Sequence, residues 1–473
     1  MLRFTLIVIA LSTLPLFAAD APAPSPLDTI LKETQPLPKP RGKRLPLYVW
    51  TADYPQTGDD AELERIIKEL DARGISLLTR WHSSDFEKSC AFALRVGKIQ
   101  AKLGIPVAVE AENDTINGFS DGSPGVAHVD ADGKPFFDDS FMVWKAGCPF
   151  KMATRYDAMK ARLEPFLKKY KEAGVPLEFW TADFEFDGPD EWNTSWEKSK
   201  KCTVCAAKIK NLDTDFTAFQ TAVRSVRTEL QHEVFAKTIA TYFPAARVGV
   251  YGMNPNDGRR YWWDFFEKKD EIPGVAYTKD QGAVYRPWAK EFDASGYSMA
   301  MPVIYSLYNP YTFKDGEYGW FYNMLLEYSG AAKNTPPAVA LVPFIHWSVT
   351  APNKQAPLSE EKYQELLWHL LLRRCDGFCM WCQPELMAKN IVPLQKVYAE
   401  SLGFADFLEK GKPVTFDVPA QPGTVISALR LDKKLLVRRT DFTANPDPVE
   451  LLIDQKPLKV PSQPGKCQVL DVP

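Results

Sequence analysis

The chain has 473 residues, 45% hydrophobic and 25% charged, the balance of a folded globular protein, which excludes a disordered or fibrous chain. Fifty-seven basic against 60 acidic residues leave a net charge of −3, so there is no basic excess for binding nucleic acid. Thirteen Trp and 18 Tyr combine flat apolar faces with polar tips, suited to stacking on sugar rings or to a large aromatic core.

Met1-Leu2-Arg3 is followed by an apolar run from Phe4 to Phe17 and then by Ala18, Ala19 and Ala21. One positive charge, a short apolar run and small residues predict a secretory signal peptide over residues 1–21, and hence a secreted or periplasmic protein. The run is shorter than the ~20 residues a membrane span needs, and no other segment is long and apolar enough. Residues 22–44, rich in Pro and Ala, predict an extended leader.

From Leu45 onward, short β-rich runs alternate with stretches of helical period. Leu47–Trp50 is the first predicted strand, and Leu63, Ile66, Ile67 and Leu70 then form one helical stripe that stops at Gly74. Further strands are predicted at Ile75–Thr79, Ile105–Val109, Leu177–Phe186, Arg247–Tyr251, Ala300–Tyr305, Ala338–Trp347 and Gly377–Trp381, with helices between them. Eight strand–helix units without strand-to-strand hairpins predict a parallel sheet closed as a (β/α)8 TIM barrel over residues 45–411. An open doubly wound sheet is the alternative, but no glycine-rich nucleotide fingerprint follows the first strand. After Gly411, short β runs such as Ile426–Leu431, Lys434–Arg439, Val449–Ile453 and Cys467–Val472, separated by Pro, Gly, Asn and Asp, predict a small antiparallel, β-sandwich-like domain over residues 412–473. It shows no aromatic platform and reads as a structural cap.

Eight Cys in an exported chain predict some pairing. The expected structural disulfide joins Cys148 to Cys202 or Cys205. Structural zinc is the second reading, because Cys202–Cys205 and Cys379–Cys382 are both C-x-x-C, yet the two pairs lie too far apart for a compact knuckle. Five scattered His argue against a His-built metal site, and no cofactor is expected.

Active sites of such barrels lie at the C-terminal strand ends. The fourth strand ends Thr181-Ala182-Asp183-Phe184-Glu185-Phe186-Asp187, and strand alternation puts Asp183 and Glu185 on one face. Two carboxyls so close raise each other's proton affinity, as a general acid requires. The sixth strand ends in Tyr305, followed by Asn309, and the seventh in His346-Trp347; neither supplies an Asp or Glu as nucleophile. Trp50, Trp81, Tyr251 and Trp347 are aromatic strand ends that fit a sugar groove. Glu110, Glu112 and Asp114 follow the third strand and are expected on a solvated loop, with binding of substrate hydroxyls or a cation as the alternative; His82 and His346 are expected as packing residues. The expected partner is an oligo- or polysaccharide.

Asp183-Phe184-Glu185 resembles the D-x-E of hyaluronidases and the last two acids of the chitinase motif. Tyr305 resembles the sixth-strand Tyr of chitinase-like enzymes, and Gly377-Phe378-Cys379-Met380-Trp381 their eighth strand, whose Trp floors the sugar subsite. The resemblance implies a substrate-assisted glycoside hydrolase of N-acetylhexosamine glycans. Glu185 would be its acid/base, Asp183 would orient the acetamido group, Tyr305 would bond the acetamido oxygen and Trp381 would floor the subsite; Asp187, on the same strand parity as Glu185, is a further candidate for substrate contact. The chain departs from the longer chitinase motif, with Glu178 and Thr181 where the two earlier Asp would stand.

Overall fold

A computed structural model describes residues 26–50, 59–116, 122–139, 145–183, 193–253, 255, 289–305, 316–347, 358–382 and 386–472. The predicted signal peptide, Glu185, Asp187 and Asn309 lie outside them.

Eight strands run in chain order: β1 (Leu47–Trp50), β2 (Ile75–Trp81), β3 (Ala108–Ala111), β4 (Phe179–Ala182), β5 (Arg247–Val250), β6 (Met299–Ala300 and Val303–Ile304), β7 (Ala340–Leu341 and Phe344–Ile345) and β8 (Phe378–Trp381). Each pairs in parallel with its sequence neighbour from β1 to β5 and from β6 to β8, and β8 returns to β1 with Leu47 opposite Phe378. Hydrogen bonds from Ser298 N to Val248 O and from Met301 N to Met253 O, both 3.0 Å, join β6 to β5 and close the ring. The predicted (β/α)8 TIM barrel is therefore the observed architecture. β6 and β7 are each interrupted at a proline, Pro302 and Pro343, which has no N–H to give the ladder.

Strand alternation divides the interior into two cores. Tyr48, Leu78, Ala108, Phe179, Met299, Val342 and Cys379 fill the barrel. Their sequence neighbours pack outward against the helices. The stripe Leu63, Ile66, Ile67 and Leu70 is buried as predicted, on a helix Asp60–Asp71 whose N-cap Asp59 accepts from Ala61 N. Gly249 faces into the barrel where a Cβ would stand 2.7 Å from Met301 Sδ, so β5 needs a residue without a side chain there.

Two expectations change. Residues 22–44 are not uniformly extended: Pro26–Glu33 is a helix that buries Leu27 and Ile30, and Arg73 donates to Leu31 O and Thr34 O at its end. Spacing of i and i+3 in a short apolar stripe outweighed the Pro-rich composition. The antiparallel domain holds Thr424–Leu431, Lys434–Asp441 and Cys467–Asp471 in one sheet, and also a hairpin, Val449–Ile453 with Lys456–Val460, whose second strand the sequence reading missed. Asp454 and Gln455 make the two-residue turn with φ of 49° and 67°.

This domain is joined to the barrel by buried polar groups on the helix Glu360–Leu371 and just after it. Arg438 makes a two-point ion pair with Glu365 at 2.6 and 2.8 Å. His369 meets Ser427 and Thr440, and Arg373 donates to Ser427 and to the carbonyls of Phe416 and Asp417. Such a seam suits a fixed cap. Among the described residues, no helix is long and apolar enough to cross a membrane.

Candidate active site

At the C-terminal end of the barrel, alternation that turns Ala108 inward also turns Glu110 inward. β3 extends to Ala111, two residues past its apolar run, so Glu110 belongs to the strand and is fully buried. The expected solvated loop is corrected here: Glu110 and Glu112 have side-chain exposures of only 1% and 13%. The local cause is Arg80. It lies on the inward face of β2 with Ser76 and Leu78, donates through Nε to Glu110 Oε2 at 3.3 Å, and pairs with Glu112 through Nη2. Asp114 stands apart, accepting from Ser84 N at 2.7 Å.

Asp183 follows β4 directly, and its N–H donates to Ala111 O at 3.0 Å and to Glu110 Oε1 at 3.1 Å. Carboxylate oxygens of Glu110, Glu112 and Asp183 lie within 4.8 Å of one another. The guanidinium of Arg80 supplies the positive charge among them.

An aromatic wall continues from this group. The Arg80 guanidinium lies 5.2 Å from the Trp50 ring centre, and Trp50 and Trp381 are 6.1 Å apart. Trp381 stacks on Tyr305 at 5.9 Å, and Tyr305 stacks on His346 at 4.1 Å and meets Tyr251 at 6.1 Å. Of the sequence-predicted site residues, Asp183, Tyr305, Trp381, Trp50 and Tyr251 are thus brought together at one mouth.

Trp81 and Trp347 are not. Trp81 falls on the outward parity of β2 and stacks on Phe166 at 4.9 Å with Tyr170 edge-on at 5.1 Å. Trp347 stacks on Tyr363 at 6.0 Å and donates through Nε1 to Leu358 O at 2.7 Å, which holds it against the helix layer. Both are corrections to the expected sugar groove, and both follow from strand parity, since Arg80 and His346 take the inward positions. Trp81→Ala is expected to cost ~3–5 kcal/mol of stability without changing the kcat of the folded fraction; denaturant unfolding beside an activity assay checks this.

Of this mouth, Arg80 was missed from sequence, while Glu110 was expected on a loop and His346 as a packing residue. The usable signal was alternation, since Arg80 interrupts an apolar run in phase with Leu78, and Glu110 is in phase with Ala108.

Burial pushes the Glu110 carboxyl up to about 8, helped by the charge of Asp183 and opposed by Arg80. Burial likewise raises Asp183 to about 6, against the pull of Arg80. Burial lowers His346 to about 3, so its imidazole is neutral and Nδ1 donates to Trp381 O at 3.3 Å. Folded protein therefore keeps a proton on Glu110 between the ordinary value of ~4.3 and about 8, where the unfolded chain has released it. Stability is full at the acidic end of that window and falls as pH rises through it. The expected loss is up to about 5 kcal/mol, ~1.4 kcal/mol for each pH unit of the window, read by urea unfolding at several pH values, and Glu110→Gln is expected to flatten it. An unchanged slope in that variant would assign the effect elsewhere.

No protein-family model matches this chain, and no curated protein is similar to it in sequence. Solved structures do resemble it. They include α-L-fucosidase isoenzyme 2 from Paenibacillus thiaminolyticus, 9% identical with a TM-score of 0.45, covering 79% of this chain and 51% of that one. A polyextremophilic β-galactosidase from the Antarctic haloarchaeon Halorubrum lacusprofundi is 11% identical with a TM-score of 0.48, covering 79% of this chain and 59% of that one. Bee venom hyaluronidase is 13% identical with a TM-score of 0.34, covering 70% of this chain and 100% of that one. The chain spans between about half and three-fifths of the length of the first two. At these scores none of the three bears on substrate or chemistry, and the barrel rests on the chain's own strand order.

Proposed function

We propose that the protein is an exported retaining glycoside hydrolase acting on N-acetylhexosamine-containing glycans. The observation that carries this reading is the meeting, at one mouth of the barrel, of the Asp183 carboxyl in the Arg80–Glu110–Glu112 group with a wall of Trp50, Tyr251, Tyr305 and Trp381. A half-buried acid next to stacked aromatic faces suits a polar ring with an apolar underside.

In the proposed reaction, Glu185 gives its proton to the leaving glycosidic oxygen as that bond to the anomeric carbon breaks. The acetamido carbonyl oxygen of the same sugar forms a bond to that carbon from the opposite face, giving an oxazolinium ion. Asp183 accepts from the acetamido N–H and offsets the positive charge, and Tyr305 bonds the acetamido oxygen. Glu185, now a carboxylate, takes a proton from water as the water oxygen opens the ring, which retains the configuration. Trp381 floors the subsite, and Trp50, Tyr251, Asp187 and Asn309 contact substrate.

The test is a screen of acetamido-sugar polymers for released reducing ends, with Glu185→Gln as control. Wild-type-like hydrolysis by that variant would reject the assignment. Tight glycan binding with no reducing ends released would point instead to a non-catalytic glycan-binding barrel. A second catalytic reading has its own support: Glu112 brings a carboxylate within 4.8 Å of Asp183, a protein-borne partner for a glycosidase on sugars without an acetamido group. An oxazoline-type inhibitor blocks only the substrate-assisted enzyme and separates the two.

A further inference from the structure

Away from the candidate active site, four chemistry-bearing side chains converge in an apolar pocket of their own. His128 opens a hairpin of His128–Val129 with Pro135–Phe136, Cys148 precedes a 3-10 helix Pro149–Arg155, and Cys202 and Cys205 flank the start of the helix Thr203–Lys208. All four are buried, with relative exposures of 2%, 0%, 0% and 0% in that order. The expected disulfide is corrected here, because all three cysteines are free. Cys148 Sγ stands 3.7 Å from Cys205 Sγ and 3.9 Å from Cys202 Sγ, and Cys205 Sγ stands 3.8 Å from His128 Nδ1. A disulfide needs ~2.05 Å.

We propose that His128, Cys148, Cys202 and Cys205 form a structural zinc site. The spacing carries the argument. Zn–S bonds of ~2.3 Å in a tetrahedron put sulfurs roughly 3.8 Å apart, and a Zn–N bond of ~2.0–2.1 Å puts the imidazole nitrogen roughly 3.6 Å from each sulfur. The observed separations match a shell of four donors around one central ion, and all four ligand atoms lie within 4.8 Å of one another. Three soft sulfurs and one imidazole select zinc over calcium or magnesium, which take oxygen ligands. Four protein ligands complete the shell and leave no position for water or substrate, so the site is structural.

Its surroundings fit that role. Phe136 stacks on the His128 ring at 5.1 Å and holds its plane. Ile209, Leu212, Phe219 and Val223 enclose the group in a cluster separate from both barrel cores. On binding, each thiol still protonated releases its proton to solvent, the imidazole binds in its neutral form, and no redox step occurs.

The second C-x-x-C takes no part. Cys379 faces into the barrel and Cys382 faces the outer core, so the two cannot share an ion. The ion joins two β-to-α connections, one after β3 and one after β4, at the end of the barrel that carries the candidate active site. A small pocket thus gains a cross-link between segments up to 77 residues apart.

The experiment is elemental analysis of the full-length protein, expressed in zinc-supplemented medium and purified without chelator or reductant. One zinc per chain is expected, falling to near zero in Cys202→Ser and in His128→Ala. Cobalt loaded in its place should give the intense visible bands of a tetrahedral, thiolate-bound ion, and these should be absent in Cys202→Ser. Wild-type protein without bound metal that fails to take up zinc or cobalt would overturn the proposal. So would a mass two hydrogens low, mapped to a disulfide among Cys148, Cys202 and Cys205. Both readouts on wild-type protein stand even where the variants do not fold.

Discussion

Asp183→Asn is expected to lower kcat by roughly 10²–10⁴-fold while leaving the fold intact. The substitution keeps the side chain's shape, and the bonds that anchor this residue come from its backbone N–H, to Ala111 O and Glu110 Oε1. What it removes is the negative charge that would orient the acetamido N–H and offset the oxazolinium ion. An effect confined to the transition state lowers kcat and kcat/KM together, with KM little changed. Glu185→Gln is expected to go further and remove nearly all activity, because in the proposed reaction Glu185 gives the proton that the leaving oxygen needs. Initial-rate kinetics on an acetamido-sugar polymer, with unfolding curves to verify the fold, decide both. A rise in KM alone for Asp183→Asn would make that carboxyl a binding group only.

Arg80→Met is expected to destabilise the protein by about 3–5 kcal/mol, the cost of removing one member of a buried charge group. Arg80, Glu110 and Glu112 have side-chain exposures of 19%, 1% and 13%, so the carboxylates left behind are poorly reached by water. Their remaining option is protonation. Glu110 is already raised to about 8 against the pull of Arg80, and losing that pull raises it further. The penalty is therefore largest at alkaline pH and shrinks as pH falls, which distinguishes lost charge pairing from lost packing volume. Arg80→Lys is expected to recover only part of the loss, because a single ammonium cannot reach Glu110 and Glu112 in the forked geometry of a guanidinium. Urea unfolding at several pH values measures this, and a penalty below ~1 kcal/mol would mean the group is solvated like a surface ion pair.

Much of the fold was legible because it depends on periods. The stripe Leu63, Ile66, Ile67 and Leu70 and the run Phe378–Trp381 carry their own structural signal, and eight repeats of that pattern imply closure. Elements set by a few contacts were harder. Pro26–Glu33 is helical because Leu27 and Ile30 find an apolar surface, which a Pro-rich composition does not announce. At the mouth, aromatic strand ends were visible as residue types but not as directions. A one-residue difference in phase separates Trp81, stacked on Phe166 behind the sheet, from Arg80 inside the barrel.

The sequence by itself determined the alternation of strands and helices, the barrel they close, and the placing of Asp183 at the end of the fourth strand, because these depend on local hydrophobic period and chain order. Tertiary structure alone decided that Arg80, Glu110 and Asp183 meet across three strands, and that His128 joins Cys148 and the pair Cys202–Cys205. Partners drawn from separate strands or connections are chosen by the register of a closed sheet and by which side chains share a pocket without water. Neither quantity is carried by the spacing of residues along the chain.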